Sequence, residues 1–454
     1  MASSSTDLKP ESSTSPEQEH SGGFRTVRSV ILCGASVRSL AQSAIAAGLH
    51  PLCVDFFEDT DLTRILRSGR GRFIDRMRTF EELPDIIRKI RSNIPLLWAG
   101  GLENHTCVLR SIMARRPVIG PDLEIVDRIR QPHNIVRWFS EAGLSVPRLA
   151  SVDNANADCH WLRKPKSGSG GLGIRSVHPQ SALPDSIQKK KTTSEEFLQE
   201  YIDGVPMSAV FCSDHSGLSL LGTSVQLVGW PSLGASDFLF CGNAGPVDPG
   251  EDVTRQLVLA AESLITHTGL KGVFGVDFVL RQGQAWLLEV NPRLTASHML
   301  YENPVHHIRT ERSLVARHLA AYGWQPAGGT ACRRKTVRSA AANNVRVQAR
   351  FILWANQNVQ FTDSVCDSTH EAWTIADIPQ PGSTIPAGSP LCSVHVAAGS
   401  QDELLEHIRG IQAMSLDGQG FCWPDISQQL RLLLERFQRN CQRSPNTSDQ
   451  TVSS

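Results

Sequence analysis

No stretch of the 454-residue chain approaches the roughly 18 uninterrupted apolar residues that a bilayer-spanning helix needs. Net charge is missing too: 45 Lys and Arg balance 45 Asp and Glu, which removes the long-range field of a polyanion or polybasic-membrane binder. Only three Tyr occur, and aromatic residues do not interleave with basic ones, so no base-stacking surface is expected. The 11 cysteines form no Cys-x-x-Cys pair. Cys33 and Cys53 lie in apolar runs, which fits reduced, buried thiols in a reducing compartment. The first 22 residues, rich in Ser, Glu, Pro and Thr, lack the apolar core of a signal peptide. Residues 1–24 and 443–454 read as disordered tails. The expectation is a cytoplasmic protein acting on small molecules, without nucleic-acid or membrane partners; a homodimer is compatible with it.

What is present has two grammars. Over residues 25–125, short apolar runs (Val30–Cys33, Pro51–Asp55, Pro95–Trp98) alternate with helical stretches (Ala35–Ala47, Glu103–Ala114). That alternation predicts a parallel sheet with crossover helices. A further helix is expected over Gln131–Ala142. Over residues 126–324 strands come in neighbouring pairs, among them Trp161–Lys164, Ile174–Val177, Phe197–Ile202, Met207–Cys212 and Leu218–Val228. One amphipathic helix carries Val253, Leu257, Ala260, Ala261 and Leu264, and a long helix is expected to end near Tyr322. Residues 325–344 read as a linker or insertion. A small C-terminal α+β extension over 345–442 is expected, with strands near Val345–Trp354 and Leu391–Val396. Two helices then follow, striped by Leu404, Ile408 and Ile411 and by Ile426, Leu430, Leu433 and Phe437. The Lys189–Lys191 run reads as a solvated loop.

Two segments carry chemistry. Lys164-Pro165-Lys166-Ser167-Gly168-Ser169-Gly170-Gly171-Leu172-Gly173 places two cations ahead of four glycines between strand-like runs. Glycines let backbone N–H groups approach an anion, and lysine adds a point charge for phosphate. It is not a P-loop, because no Gly-Lys-Ser/Thr closes it. A mobile surface loop is the competing reading.

The second segment is a hairpin, Gly275-Val276-Asp277-Phe278 followed by Leu287-Leu288-Glu289-Val290-Asn291-Pro292-Arg293. Strand alternation puts Leu287, Glu289 and Asn291 on one face, with Glu289 and Asn291 ~6–7 Å apart. That spacing suits one or two Mg²⁺ ions; the competing reading is an edge-strand Glu facing water. The turn sets the register. A two-residue loop, Gln282-Gly283, pairs Asp277 with Leu288; a three-residue loop, Gln282 to Gln284, pairs it with Glu289 at ~4.5–5.5 Å between Cβ atoms. The second register, with the two carboxylates sharing a face, is the expectation.

These motifs, in this order, resemble the ATP-grasp superfamily over roughly residues 28–322, a mixed α/β and α+β architecture with an N-terminal parallel-sheet domain and a two-lobed nucleotide-binding centre. Phe197-Leu198-Gln199-Glu200-Tyr201-Ile202-Asp203-Gly204 looks like its adenine-binding hinge. Gly204-Val205-Pro206-Met207-Ser208 and Phe240-Cys241-Gly242-Asn243 look most like the carboligases linked to methanopterin- and methanofuran-type cofactor pathways. The resemblance implies an ATP-dependent ligase forming a C–N bond, with ATP and Mg²⁺ (or Mn²⁺), two ions, as cofactors. It implies that Lys164 contacts phosphates and that Gly168, Ser169, Gly170, Gly171 and Gly173 fold over them. Glu200, Tyr201, Ile202 and Asp203 hold adenosine, and Asp277, Glu289 and Asn291 hold metal. Arg293, with Lys164, balances charge on the transferred phosphoryl group. Two departures stand out. The nucleotide-contacting Lys that often precedes the central domain is absent, leaving Arg128 and Arg130, and Pro206 or Met207 stands where an acidic ribose partner is common.

Other features weigh less. Gly34-Ala35-Ser36-Val37-Arg38-Ser39 has one glycine where a dinucleotide fingerprint needs three, although a helix N-terminus there suits a substrate carboxylate. Glu103 reads as a cleft residue or a first-turn helix acid. His306 and His307 diverge on a helix and do not form a metal site. Two alternatives to the ligase remain at this point: a non-catalytic nucleotide-binding protein, and a biotin-carboxylase-like subunit that phosphorylates bicarbonate.

Overall fold

Val30 and Leu32 face one apolar cluster while Ile31 and Cys33 face another, so the Ser29–Cys33 strand is covered on both sides and reads as a continuous apolar run. It is central in a four-stranded parallel sheet ordered Arg72–Arg76, His50–Asp55, Ser29–Cys33, Leu96–Trp98. The computed structural model describes residues 24–150, 159–177, 196–302, 313–327, 346–362, 372–412 and 426–442. The two expected tails lie outside these residues, apart from Phe24. So do Lys189–Lys191, His306-His307 and all of the expected linker beyond Ala327. What is described of that linker is not loose: Trp324–Pro326 pairs in parallel with Arg25–Val27. The described part of the expected long helix is short, Leu314–Ala321.

The paired-strand region forms two antiparallel sheets. The smaller is ordered Leu149–Ala150, Glu196–Glu200, Trp161–Pro165, Arg175–Val177. The larger has eight strands. It starts at the hairpin, Gln284–Asn291 and Gly272–Arg281, and continues through Val205–Asp214, Gly217–Val228 and Phe240–Val247. The C-terminal extension supplies its last three strands, Val347–Trp354, Pro390–Ala398 and Trp373–Ala376. The helix Glu251–Thr268 buries the five residues its stripe predicted. On the last helix, Ser427–Gln442, Leu430, Leu434 and Phe437 are buried while Leu433 stays partly exposed at the edge of the main cleft.

That last helix braces the hairpin. Asn440 accepts from the Gln282 and Gly283 backbone N–H groups through its side-chain and main-chain oxygens at 3.0 and 2.7 Å. Among the described residues no two cysteines form a disulfide, Cys33 and Cys53 are buried, and no helix is long and apolar enough to cross a membrane.

Candidate active site

Gln282 and Gly283 both have positive φ, 51° and 74°, and Arg281 pairs with Gln284. The hairpin therefore has the two-residue turn of the type I′ class. Counting regularly from it would set Asp277 against Leu288. The ladder instead runs Leu280–Ala285, Val279–Trp286, Phe278–Leu287 and then jumps, pairing Asp277 with Glu289. Leu288 is the extra residue of a β-bulge. The expected carboxylate pair is present, but a bulge creates it and not a three-residue loop. The bulge also corrects one face assignment. Leu287 pairs with Phe278 on the core side, opposite Glu289, and both are buried in the main apolar cluster.

The pair opens onto a cleft of about 690 Å³ between the two sheets and the N-terminal domain. Asp277 accepts from Gln226 Nε2 at 3.0 Å and from Asn291 Nδ2 at 2.9 Å. Burial, and then the Glu289 charge, push its carboxyl up to about 7. Burial acts in the same sense on Glu289, but the Lys164, Arg130 and Arg293 cations outweigh it and hold that carboxyl below its usual range. The Glu289 side chain keeps 45% of its surface open to the cleft, with Lys164 Nζ 3.7 Å from Oε2. Lys164 itself is buried and donates to Gln199 Oε1 at 3.1 Å.

Arg293 joins the domains. Its Nε and Nη2 lie 2.8 and 2.7 Å from Glu103 Oε1, and Nη2 donates to Asn291 Oδ1 at 3.2 Å. Glu103 is 2% exposed, so it is neither a solvated first-turn acid nor an open ligand but the buried counter-ion of Arg293.

The glycine loop crosses the mouth of the cleft. Gly171 has φ +80°, and a Cβ there would sit 1.8 Å from the Phe238 carbonyl oxygen; only glycine permits that approach. Phe240 N–H donates to the Gly170 carbonyl at 2.9 Å. Arg130 Nη2 reaches the carbonyls of Lys166 and Gly168 at 2.9 and 3.2 Å and Asn104 Oδ1 at 2.6 Å. Of the two arginines weighed from sequence, Arg130 lines this cleft. Arg128 instead donates to the His267 carbonyl at 2.8 Å and stacks over Trp138.

Residues 133–297 match the family model described as an ATP-grasp domain. The chain carries an ATP-grasp domain. A curated relative, the arginine-specific large chain of carbamoyl phosphate synthase from Geobacillus stearothermophilus, is 21% identical over 225 residues, 47% of this chain and 21% of the relative. The chain thus spans about a fifth of the length of the curated relatives it matches. Two solved structures share the fold. The biotin carboxylase domain of Hydrogenobacter thermophilus 2-oxoglutarate carboxylase, in complex with MgADP and bicarbonate, has a TM-score of 0.63 at 12% identity, covering 86% of this chain and 90% of that one. N5-carboxyaminoimidazole ribonucleotide synthetase from Thermus thermophilus has a TM-score of 0.59 at 14% identity, covering 86% and 99%.

Within the ATP-grasp domain, Lys164, Gly168, Ser169, Gly170, Gly171, Glu200, Tyr201, Ile202, Asp277, Glu289, Asn291 and Arg293 all border the one cleft. Gly173 and Asp203 do not. Gly173 lies behind the loop against Pro165, and Asp203 is turned to Arg436 on the last helix, at 2.6 Å. The Glu200 carboxylate is held by Arg148 at 3.0 Å, which outweighs burial and keeps its pKa low. Sequence reasoning missed Gln199, Gln226, Asn243 and Arg350. Each lies within a strand, and only strand register puts it at the site.

Proposed function

We propose that the protein is an ATP-dependent carboxylate–amine ligase, converting ATP, a carboxylate and an amine to an amide, ADP and phosphate through an acyl phosphate. The observation that carries this reading is the convergence of Asp277, Glu289, Asn291 and Arg293 opposite Lys164 and the glycine loop, across one cleft. The donor set suits Mg²⁺. It is all oxygen, and the Asp277 carboxyl, pushed to about 7 beside Glu289, gains from a cation. An ion held there would complete its shell with polyphosphate oxygens and water. The ion, when bound, would neutralise charge between the terminal phosphates.

The chain's own residues do the positioning. Lys164, fixed by Gln199, offers a cation at the phosphates, and the loop N–H groups cover their outer face. Arg293, fixed by Glu103, stabilises charge where the carboxylate oxygen meets the phosphoryl group. Tyr201 and Ile202 supply the hinge against which adenine rests. Pterin- and furan-type carboxylates belong among the substrates to be tried, because of the Gly204–Ser208 and Phe240–Asn243 segments.

Titration calorimetry with Mg·ADP, followed by ADP release across pools of carboxylates and amines, tests the reading. Nucleotide heat with ADP release that needs both pools supports it; no nucleotide heat overturns it. ADP release with bicarbonate alone would favour the second reading, a bicarbonate-phosphorylating subunit, for which the fold of the Hydrogenobacter domain speaks.

A further inference from the structure

A polar row crosses the large sheet on the cleft side. Glu289 pairs with Asp277, Asp277 with Ser208, Gln226 with Asn243, Asn243 with Arg350 and Arg350 with His395. Gln226 bonds Asp277 and so joins the two halves. The first half is anionic and belongs to the nucleotide end described above. The second half is not used by that chemistry, and unsatisfied atoms mark it.

Asn243 and His298 are 1% and 2% exposed, and both line the cleft. Asn243 Oδ1, His298 Nε2 and Arg350 Nε are buried without a hydrogen-bond partner among the described residues. Buried polar atoms left unpaired are costly, on the order of 1–3 kcal/mol each, and three along one cleft point to a ligand that pairs with them. Their chemistry is specific. His298 Nδ1 lies 2.6 Å from the Thr295 carbonyl, which can only accept, so Nδ1 carries the proton and Nε2 presents a lone pair. Asn243 Oδ1 is likewise an acceptor. Arg350 is a donor with a permanent charge, held from behind by Asp377 Oδ2 at 2.9 Å, and Asp377 in turn is held by Ser393 and by Arg38 Nε at 3.0 Å.

Two acceptors beside one cation complement an ammonium or amine beside an anion. We propose that this end of the cleft binds the attacking amine substrate, that this substrate is an amino acid, and that His298 takes its proton. The inference rests on the ligase reading. The amino-acid carboxylate pairs with Arg350, and its nitrogen sits at Asn243 Oδ1 and His298 Nε2. The ammonium first loses one proton to solvent. The neutral nitrogen then attacks the acyl-phosphate carbon, forming the C–N bond. The C–O bond to phosphate breaks, and phosphate leaves with the electron pair. The surplus proton on nitrogen passes to His298 Nε2, while Nδ1–H stays on the Thr295 carbonyl. The imidazolium returns its proton to solvent after release.

The test uses the full chain loaded with Mg²⁺ and a non-hydrolysable ATP analogue. Thermal shifts are read with each proteinogenic amino acid and with matched primary amines lacking the carboxylate. At least one amino acid should raise Tm by 2 °C or more where its amine does not. Arg350→Lys, which keeps a charge beside Asp377, should weaken that amino acid at least tenfold and leave the nucleotide shift unchanged. A nucleotide shift without any amino-acid shift, or equal shifts from amines and amino acids, overturns the inference and spares the ligase reading. No nucleotide shift sinks both. With a responding amino acid, His298→Gln should keep its binding and lose amide formation at least 100-fold. Acyl phosphate formation precedes that proton transfer, so hydroxamate formed by hydroxylamine added together with denaturant should accumulate at the wild-type rate. Amide formation within threefold of wild type in His298→Gln overturns the proton-acceptor role.

Discussion

Asp277 faces Glu289 because Leu288 is bulged out of the ladder between them. A regular hairpin with the same two-residue turn would have left one carboxylate facing a leucine. The two acids are thereby pressed together in the wall of the cleft, and their titration follows from that placement.

Asp277 should leave a pH signature in the stability of the protein without nucleotide or metal. Its carboxyl is raised from 3.8 to about 7, so the native state holds the proton more tightly than the unfolded chain does. Its contribution to stability is greatest at low pH, declines as pH rises between about 4 and 7, and is flat above. Relative to Asp277→Asn, the wild type should lose on the order of 2–4 kcal/mol over that range. Urea titrations of both proteins at several pH values check this; parallel curves would contradict it.

Glu289→Ala should spare the fold and remove function. The side chain is 45% exposed, so Tm should move little. Mg·ATP affinity and ADP formation should fall at least 100-fold, through loss of placed charge in the cleft. Calorimetry alongside an ADP assay measures both.

Arg293→Met should do the reverse of a surface change. It strands Glu103, 2% exposed, without its cation, at a cost of about 3–5 kcal/mol. Adding Glu103→Leu should return most of that stability but no activity. Chemical denaturation of the single and double variants separates the structural role of the pair from its catalytic one.

Gly171→Ala tests the loop. A methyl group at that position meets the Phe238 carbonyl at 1.8 Å with φ at +80°, so the loop must lift from the turn beneath it. KM for ATP should rise tenfold or more with Tm nearly constant, and limited proteolysis should cut within 168–174 sooner than in the wild type.

Much of this arrangement is legible in the sequence where residues are local and periodic. The Glu251–Thr268 stripe, the hairpin and the glycine loop all announce themselves through spacing. The Arg72–Arg76 strand does not, because it is an edge strand whose residues are exposed or half-buried and carry no apolar pattern. Phe240–Val247 was marked only by resemblance, since its glycines and proline hide a strand. Asn243 and Arg350 lie more than a hundred residues apart and meet only through sheet register, which no local rule supplies. The bulge at Leu288 belongs to the same class: the turn length was readable, but the slip that rescues the carboxylate pair was not.

The eight-stranded sheet has one further consequence. The family match stops at residue 297, yet hydrogen bonding runs on from Phe240–Val247 into Val347–Trp354. Trimming the gene to the matched segment would strip that strand of its neighbour and bare a row of backbone donors and acceptors, a ready template for self-association. Such a fragment should precipitate, so the smallest workable expression unit extends through the final helix.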